Sequence, residues 1–117
     1  MSVLVAVPDL FFAARIAATA RALGVEVVSC LPAELAEHWR AGCFERVIVD
    51  LHGAAALEGV RSLRAAPGGA QAEIVGFYSH VDRALREAAL AAGVSLALPR
   101  SAFTARLPAL LAGGAAG

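Results

Sequence analysis

Residues 46–53 read RVIVDLHG, and this short stretch shows the local pattern that recurs along the whole chain. Its residues 47–49 are an apolar, β-branched run between Arg46 and the carboxylate of Asp50, which predicts a buried strand over residues 46–50. Leu57, Val60 and Leu63 then follow at three-residue spacing, which predicts a helix ended by the Pro-Gly-Gly breaker at residues 67–69. The stretch therefore begins a strand–helix unit.

The same unit occurs five times along the chain. Short apolar runs alternate with segments of helical spacing, a pattern typical of a parallel sheet covered by helices on both faces. Five units predict an α/β, flavodoxin-like, doubly wound (βα)5 sandwich of three layers with strand order 2-1-3-4-5, because a closed barrel needs eight units. The predicted strands are residues 3–7, 25–29, 46–50, 73–78 and 94–98, and the predicted helices are 10–23, 31–42, 57–66, 81–92 and 103–111.

Composition restricts the classes of function. Hydrophobic residues make up 59% of the 117 residues and charged residues 17%, enough for a buried core and too apolar for a disordered chain. The ten basic residues are all Arg and balance ten acidic ones, so the formal net charge is zero. A neutral chain with scattered Arg predicts neither nucleic-acid binding nor attraction to an anionic membrane.

The ends of the chain and its thiols carry further expectations. We expect one domain over residues 1–112 and a flexible Gly/Ala tail at 113–117. The apolar N-terminus lacks the basic start of a signal peptide, and the longest apolar run, residues 88–98, is too short to span a bilayer. We therefore expect a cytoplasmic protein without a membrane segment, in which Cys30 and Cys43 are buried free thiols.

Polar residues follow the predicted strands where a doubly wound sheet binds ligands, at the carboxyl ends near the switch point between strands 1 and 3. These strand-end residues are Pro8-Asp9, Asp50 to Gly53, Ser79-His80 and Pro99-Arg100. We take Asp9, Asp50, His52, Ser79, His80 and Arg100 as the residues that line the candidate site.

The order and spacing of these residues resemble the receiver domain of bacterial response regulators, the CheY-like family, over about residues 2–112. The resemblance implies that Asp50 is the phosphoacceptor candidate, that Asp9 is the second member of an acidic pair, and that Ser79 is the hydroxyl residue after strand 4. Ser101 stands where the family usually has Pro, and the loop after Asp50, LHGAAA, lacks a Pro and a further Gly that the family usually has. Two further departures affect the site itself. Pro8 replaces the first acidic residue, and Arg100 replaces a Lys.

Both departures weaken the chemistry that the resemblance implies. Receiver phosphorylation uses Mg²⁺, a hard cation held by carboxylate oxygens. Pro8 supplies no carboxylate, so only Asp9 and Asp50 remain as ligands, and we expect either no cofactor or weakly bound Mg²⁺. Arg100 keeps a positive charge, but its planar guanidinium is not equivalent to a compact ammonium. The resemblance is therefore to a degenerate, pseudo-receiver variant.

Several of these residues also fit other roles. Asp9 is a typical N-cap for the first helix, and Asp50 is typical of the end of a strand before a Gly-containing turn. His52 and His80, on loops near two carboxylates, are compatible with a transition-metal site, although no HxH or HxxxH pair supports one. The absence of a Gly-rich loop after strand 1 argues against flavin or dinucleotide binding.

Three hypotheses of function follow. The first is a stand-alone receiver-like module, not an enzyme, that acts in signal transduction by contact with a protein such as a histidine kinase or an output protein. A homodimer through the fourth and fifth helices would suit the apolar stretch at residues 103–111. The second is a working receiver phosphorylated at Asp50. The third is a flavodoxin-like protein that binds a small ligand or a metal.

Overall fold

Each of the five predicted apolar runs forms a strand, and a helix follows each of them. The structure, a computed structural model, describes residues 2–79 and 82–112. The predicted tail at 113–117, His80 and Val81 lie outside the described residues. The strands are Ser2–Ala6 (β1), Glu26–Ser29 (β2), Arg46–Asp50 (β3), Ile74–Tyr78 (β4) and Leu96–Pro99 (β5). The helices are Leu10–Ala22 (α1), Leu35–Ala41 (α2), Ala54–Ala65 (α3), Arg83–Ala92 (α4) and Arg100–Leu111 (α5).

All strand pairs are parallel, and the order β2-β1-β3-β4-β5 is the predicted doubly wound order. The register places Asp50 beside Phe77, and Tyr78 beside Pro99. The carboxyl ends of β3, β4 and β5 therefore meet at one edge of the sheet. The flavodoxin-like prediction is confirmed.

The sheet divides the core into two apolar clusters, because successive side chains of a strand point to opposite faces. On β3, Val47 and Val49 belong to the cluster under α2, α3 and α4, whereas Ile48 belongs to the cluster under α1 and α5. The residues of β3 are buried on both faces, as expected of a central parallel strand. The domain therefore has the predicted three layers.

The loop after Asp50 is held against the sheet by close packing. Leu51 is fully buried, and a Cβ added at Gly76 in β4 would lie 2.7 Å from the Leu51 Cδ2 atom. Glycine is therefore needed at position 76 for Leu51 to lie over the strand. This contact positions the chain directly after Asp50, where the candidate site begins.

The structure differs from two smaller predictions, one about the second helix and one about the thiols. The second helix is shorter than predicted, because Pro32–Glu34 forms a separate 3-10 turn before α2. Cys30 is half-buried and packs against the core, but Cys43 is exposed, so the prediction that it is buried is wrong. Within the described residues, no helix combines the length and the apolar character needed to cross a bilayer.

Candidate functional site

Five of the six predicted site residues are described, and all five lie at the carboxyl edge of the sheet. Asp9 follows β1, Asp50 ends β3, and Arg100 follows β5 directly. His52 lies in the β3–α3 loop and Ser79 comes just after β4. The sixth residue, His80, lies outside the described part of the chain. The contacts below show which of these side chains meet.

Asp9 has the predicted role at the start of α1. Its Oδ1 atom accepts hydrogen bonds from the backbone N–H groups of Phe11, at 3.0 Å, and Phe12, at 3.2 Å. These groups are donors that a helix leaves unpaired at its first turn, so Asp9 is the N-cap. Its Oδ2 atom lies 3.9 Å from an Nη atom of Arg100. One oxygen thus serves the helix and the other faces a cation.

Arg100 is held mainly by aromatic rings. Its guanidinium carbon lies 4.4 Å from the ring centroid of Phe12 and 5.4 Å from that of Phe77, which are cation–π distances. The Nε atom is buried and makes no hydrogen bond within the described residues. About a third of the side chain, 33%, remains exposed. The sequence predicted the charge at this position but not the two rings that fix it.

Asp50 is 8% exposed and belongs to the end of the central strand. Its Oδ1 atom accepts a hydrogen bond of 3.0 Å from the backbone N–H of His52, two residues ahead. Such a bond is typical of an Asp that stabilises a turn. Asp50 therefore stabilises the turn after β3 and also lies at the switch point of the sheet. The two roles that the sequence suggested for it, a turn residue and a site residue, are compatible.

His52 joins two of the loops at this edge. Its Nε2 atom accepts a hydrogen bond of 2.8 Å from the backbone N–H of Ser79. An acceptor role for Nε2 assigns the proton of the neutral ring to Nδ1. The imidazole is exposed but ties the β3–α3 loop to the end of β4. Sequence reasoning missed this contact, because no motif links two residues 27 positions apart.

The described residues fit a divalent cation poorly. Pro8 offers no carboxylate, the Asp9 Oδ1 atom is committed to the helix cap, and a guanidinium already lies beside Oδ2. Across residues 2–79 and 82–112 there is no group of three or more His, Cys, Asp and Glu side chains that could hold a metal ion. Mg²⁺ prefers an octahedron of oxygen ligands without a competing cation.

Two clefts of the described structure lie away from this edge. The larger, of about 560 Å³, surrounds the connection from α2 to β3, before the amino end of that strand. Its lining consists of Trp39, Arg40, Gly42, Cys43, Phe44 and Pro67. The second, of about 280 Å³, shares Gly42, Cys43 and Phe44 with it. Neither cleft includes a predicted site residue.

Solved structures similar to this chain include receiver domains and response regulators. The receiver domain of a sensor histidine kinase from Pseudomonas aeruginosa, with a magnesium ion in its active-site cleft, is 18% identical with a TM-score of 0.80, and the match covers 97% of this chain and 98% of that one. A response regulator from Hahella chejuensis is 20% identical with a TM-score of 0.78, covering 94% and 91%.

A third similar structure is a complex of two proteins. It holds the receiver domain of a Saccharomyces cerevisiae response regulator with a histidine phosphotransfer signalling protein, and is 14% identical with a TM-score of 0.77, covering 96% of this chain and 88% of that one. No protein-family model matches the chain, and neither does any curated protein. These likenesses show the fold, which is the one that receiver domains have, as the sequence predicted.

Proposed function

We propose that this chain is a receiver-like module that acts in cytoplasmic signal transduction by contact with other proteins, and that its phosphorylation site is atypical. One observation carries the proposal. The carboxyl edge of a receiver fold keeps Asp50, Ser79 and Asp9 at the expected strand ends, but Pro8 removes a carboxylate and Arg100 lies beside the one that remains. The module binds partners and is not an enzyme.

The charge balance of the site supports an atypical response to phosphodonors. Phosphorylation would replace the single negative charge of the Asp50 carboxylate, a side chain that is only 8% exposed, by the roughly 1.5 to 2 negative charges that a phosphoryl group carries at pH 7. Phosphoryl transfer depends on positive charge placed where the negative charge develops. Arg100 brings one such charge. The rings of Phe12 and Phe77 hold its guanidinium, an Nη atom of which lies 3.9 Å from the Asp9 Oδ2 atom. We therefore expect slow or absent phosphorylation of Asp50.

The surface beside the site supports contact with a protein. Leu10 is 82% exposed and Phe11 is 92% exposed, in the first turn of α1 next to Asp9. Large apolar side chains in such positions are typical of interaction surfaces. A similar receiver domain, that of the yeast response regulator, is known in complex with a histidine phosphotransfer protein. A histidine kinase, a phosphotransfer protein or an output protein is thus the kind of partner we propose.

The second candidate function is a working phosphoacceptor, and the observation in its favour is Asp50 itself. The residue ends the central strand, and Ser79 follows the next strand along the sheet. A phosphoryl group on Asp50 would add charge close to the His52–Ser79 hydrogen bond and could shift a two-state equilibrium of these loops.

One set of spectra tests both candidates. Backbone amide NMR of the labelled chain is recorded with Mg²⁺ and beryllofluoride, and separately with a purified histidine phosphotransfer domain. We expect no site-centred shifts with beryllofluoride and clear shifts around Leu10 and Phe11 with the protein. The variants Asp50→Asn and Phe11→Ser are the matched controls for the two titrations.

Each outcome decides between the candidates. If beryllofluoride causes shifts centred on Asp50 and Ser79 that are absent in Asp50→Asn, the chain is a working phosphoacceptor and the proposal of an atypical site is wrong. If neither the phosphotransfer domain nor a histidine kinase domain shifts any resonance of the folded chain, contact with these partners is wrong.

A further inference from the structure

We propose that Arg100 is a built-in counter-ion for Asp9 that takes the place of a divalent cation, so that this edge of the sheet holds its carboxylates without a metal. The proposal rests on the proposed function, because it concerns the same site. It assigns a role to Arg100 that departs from the phosphoryl-binding Lys implied by the family resemblance.

The first step is the position of the charge. Arg100 is the first residue of α5, directly after β5, and its guanidinium is fixed by contacts with Phe12 and Phe77. The two rings belong to the apolar cluster under α1 and α5, so they are themselves buried. A cation held in this way keeps its place beside Asp9 even at a separation of 3.9 Å, where no direct hydrogen bond forms.

The second step is the hydrogen bonding of Arg100. Its Nε atom is buried and has no acceptor within the described residues. A buried N–H without a partner is destabilising. Hydrogen bonding from Nε to neighbouring groups therefore does not explain why an Arg lies at position 100. What the geometry does achieve is a permanent positive charge over two aromatic faces and next to a carboxylate.

The third step is the charge count of the edge. Two carboxylates, Asp9 and Asp50, lie at this edge, and Pro8 removes the third that the family pattern would add. Pro8 lowers the number of carboxylates that an external cation would balance, and Arg100, which keeps the positive charge of the Lys it replaces, lies beside one of the two that remain. With Arg100 in place, the formal charge of the three ionisable groups, Asp9, Asp50 and Arg100, is −2 + 1 = −1. One fixed cation thus does part of the work of a divalent ion.

The proposal predicts that removing the guanidinium creates Mg²⁺ affinity. Coulomb repulsion between a unit charge and a divalent ion about 5 Å apart, in a water-like dielectric, corresponds to about a tenfold change in affinity. Arg100→Gln should therefore bind Mg²⁺ about tenfold more tightly than the wild type. Raising the ionic strength should shrink this difference, because the site is partly exposed.

The experiment is a Mg²⁺ titration followed by the backbone amide shifts of residues 9–10 and 50–52. The matched control is Arg21→Gln, which makes the same change of charge at an exposed position in the last turn of α1. We expect its affinity for Mg²⁺ to stay within about twofold of wild type, because the charge lies at the other end of the helix. Arg100→Lys should fall between Arg100→Gln and wild type.

A second comparison keeps the test decisive if Arg100→Gln does not fold. Arg100→Met keeps an unbranched side chain on the rings without the charge, and Asp9→Asn keeps a good N-cap residue without the carboxylate. Adding Asp9→Asn to the folded Arg100 variant should abolish the gained affinity. The proposal is overturned if that variant binds Mg²⁺ no more tightly than Arg21→Gln, or if the gain survives Asp9→Asn. Partner binding is measured separately, so failure here leaves the proposed function standing.

Discussion

At the scale of single residues, the two thiols of this protein differ in environment. Cys30 follows β2 and packs against the core, and burial, with a smaller contribution from the negative charge of Glu34, raises its pKa to about 11. Cys43 is exposed in the loop before β3. Since the thiolate is the reactive form, the two side chains should differ greatly in reactivity.

We predict that iodoacetamide at pH 8 labels Cys43 and leaves Cys30 unmodified in the folded protein. A pKa of about 11 leaves roughly one part in a thousand of Cys30 as thiolate at that pH, and burial restricts access further. Mass spectrometry of the intact chain should show one added label, and Cys43→Ser should show none. Equal labelling of Cys30→Ser and Cys43→Ser would contradict the prediction.

At the scale of elements, Arg64 links three segments at the amino edge of the sheet. It lies in the last turn of α3, and its guanidinium donates to the carbonyl groups of Gly69, Ala72 and Gly93 at 2.6 to 2.8 Å. It also donates to the Ser95 hydroxyl, which in turn accepts from the first residue of β4. Burial lowers the pKa of Arg64, but its many acceptors keep the cation satisfied.

We predict that Arg64→Ala lowers the free energy of unfolding by about 2–4 kcal/mol, because several partly buried carbonyl groups lose a charged donor together. The matched control is Arg61→Ala on the same helix, whose exposed side chain pairs only with Glu58 among the described contacts. Its effect should be about 0.5 kcal/mol or less. Urea denaturation of the two variants measures the difference, and equal losses would show that the Arg64 contacts do not stabilise the fold.

The starts of the helices show how far local sequence predicts an element. Asp9 is an N-cap as predicted, and Asp82 is the N-cap of α4, where its Oδ1 atom accepts a hydrogen bond of 3.0 Å from the backbone N–H of Leu85. In contrast, α5 begins at Arg100 without a side-chain cap, because Pro99 ends β5 and is followed at once by the helix. A capping motif identifies a helix start from sequence only when the helix has one.

At the scale of the whole molecule, the apolar side chains exposed on α4 and α5 decide whether two copies of the chain can associate through these helices. All four large apolar residues of the 103–111 stretch, Phe103, Leu107, Leu110 and Leu111, are buried in the core. On α4, Leu90 is 38% exposed and is the large apolar side chain that these two helices offer to a second copy. A homodimer through these helices stays a proposal, and Leu90 is the residue to test.

If the homodimer forms, the wild-type chain sediments with twice the mass of one chain, and Leu90→Glu sediments as a monomer, because a charge at the centre of an apolar contact is costly. Leu23→Glu is the matched control, since Leu23 is 43% exposed at the end of α1 and lies outside the proposed contact. Analytical ultracentrifugation at high concentration makes the measurement. A wild-type mass equal to that of one chain would contradict the proposed homodimer.

The sequence by itself determined the five strand–helix units, the strand order and the position of Asp9, Asp50, Ser79 and Arg100 at strand ends. Apolar runs, helical spacing and breakers act locally, and right-handed crossovers leave few arrangements of parallel strands. These features depend on residues close together along the chain, so RVIVDLHG at residues 46–53 indicated one strand–helix unit, and its repetition along the chain indicated the fold.

The tertiary structure alone decided how the site residues are paired. Arg100 meets Phe12 across 88 residues of chain, and the His52 ring meets Ser79 N–H across 27. It also decided that Cys43 is exposed, which its apolar neighbours in sequence did not indicate. Such contacts depend on which elements pack together and on the side-chain directions that packing selects, and neither leaves a local signal in the sequence.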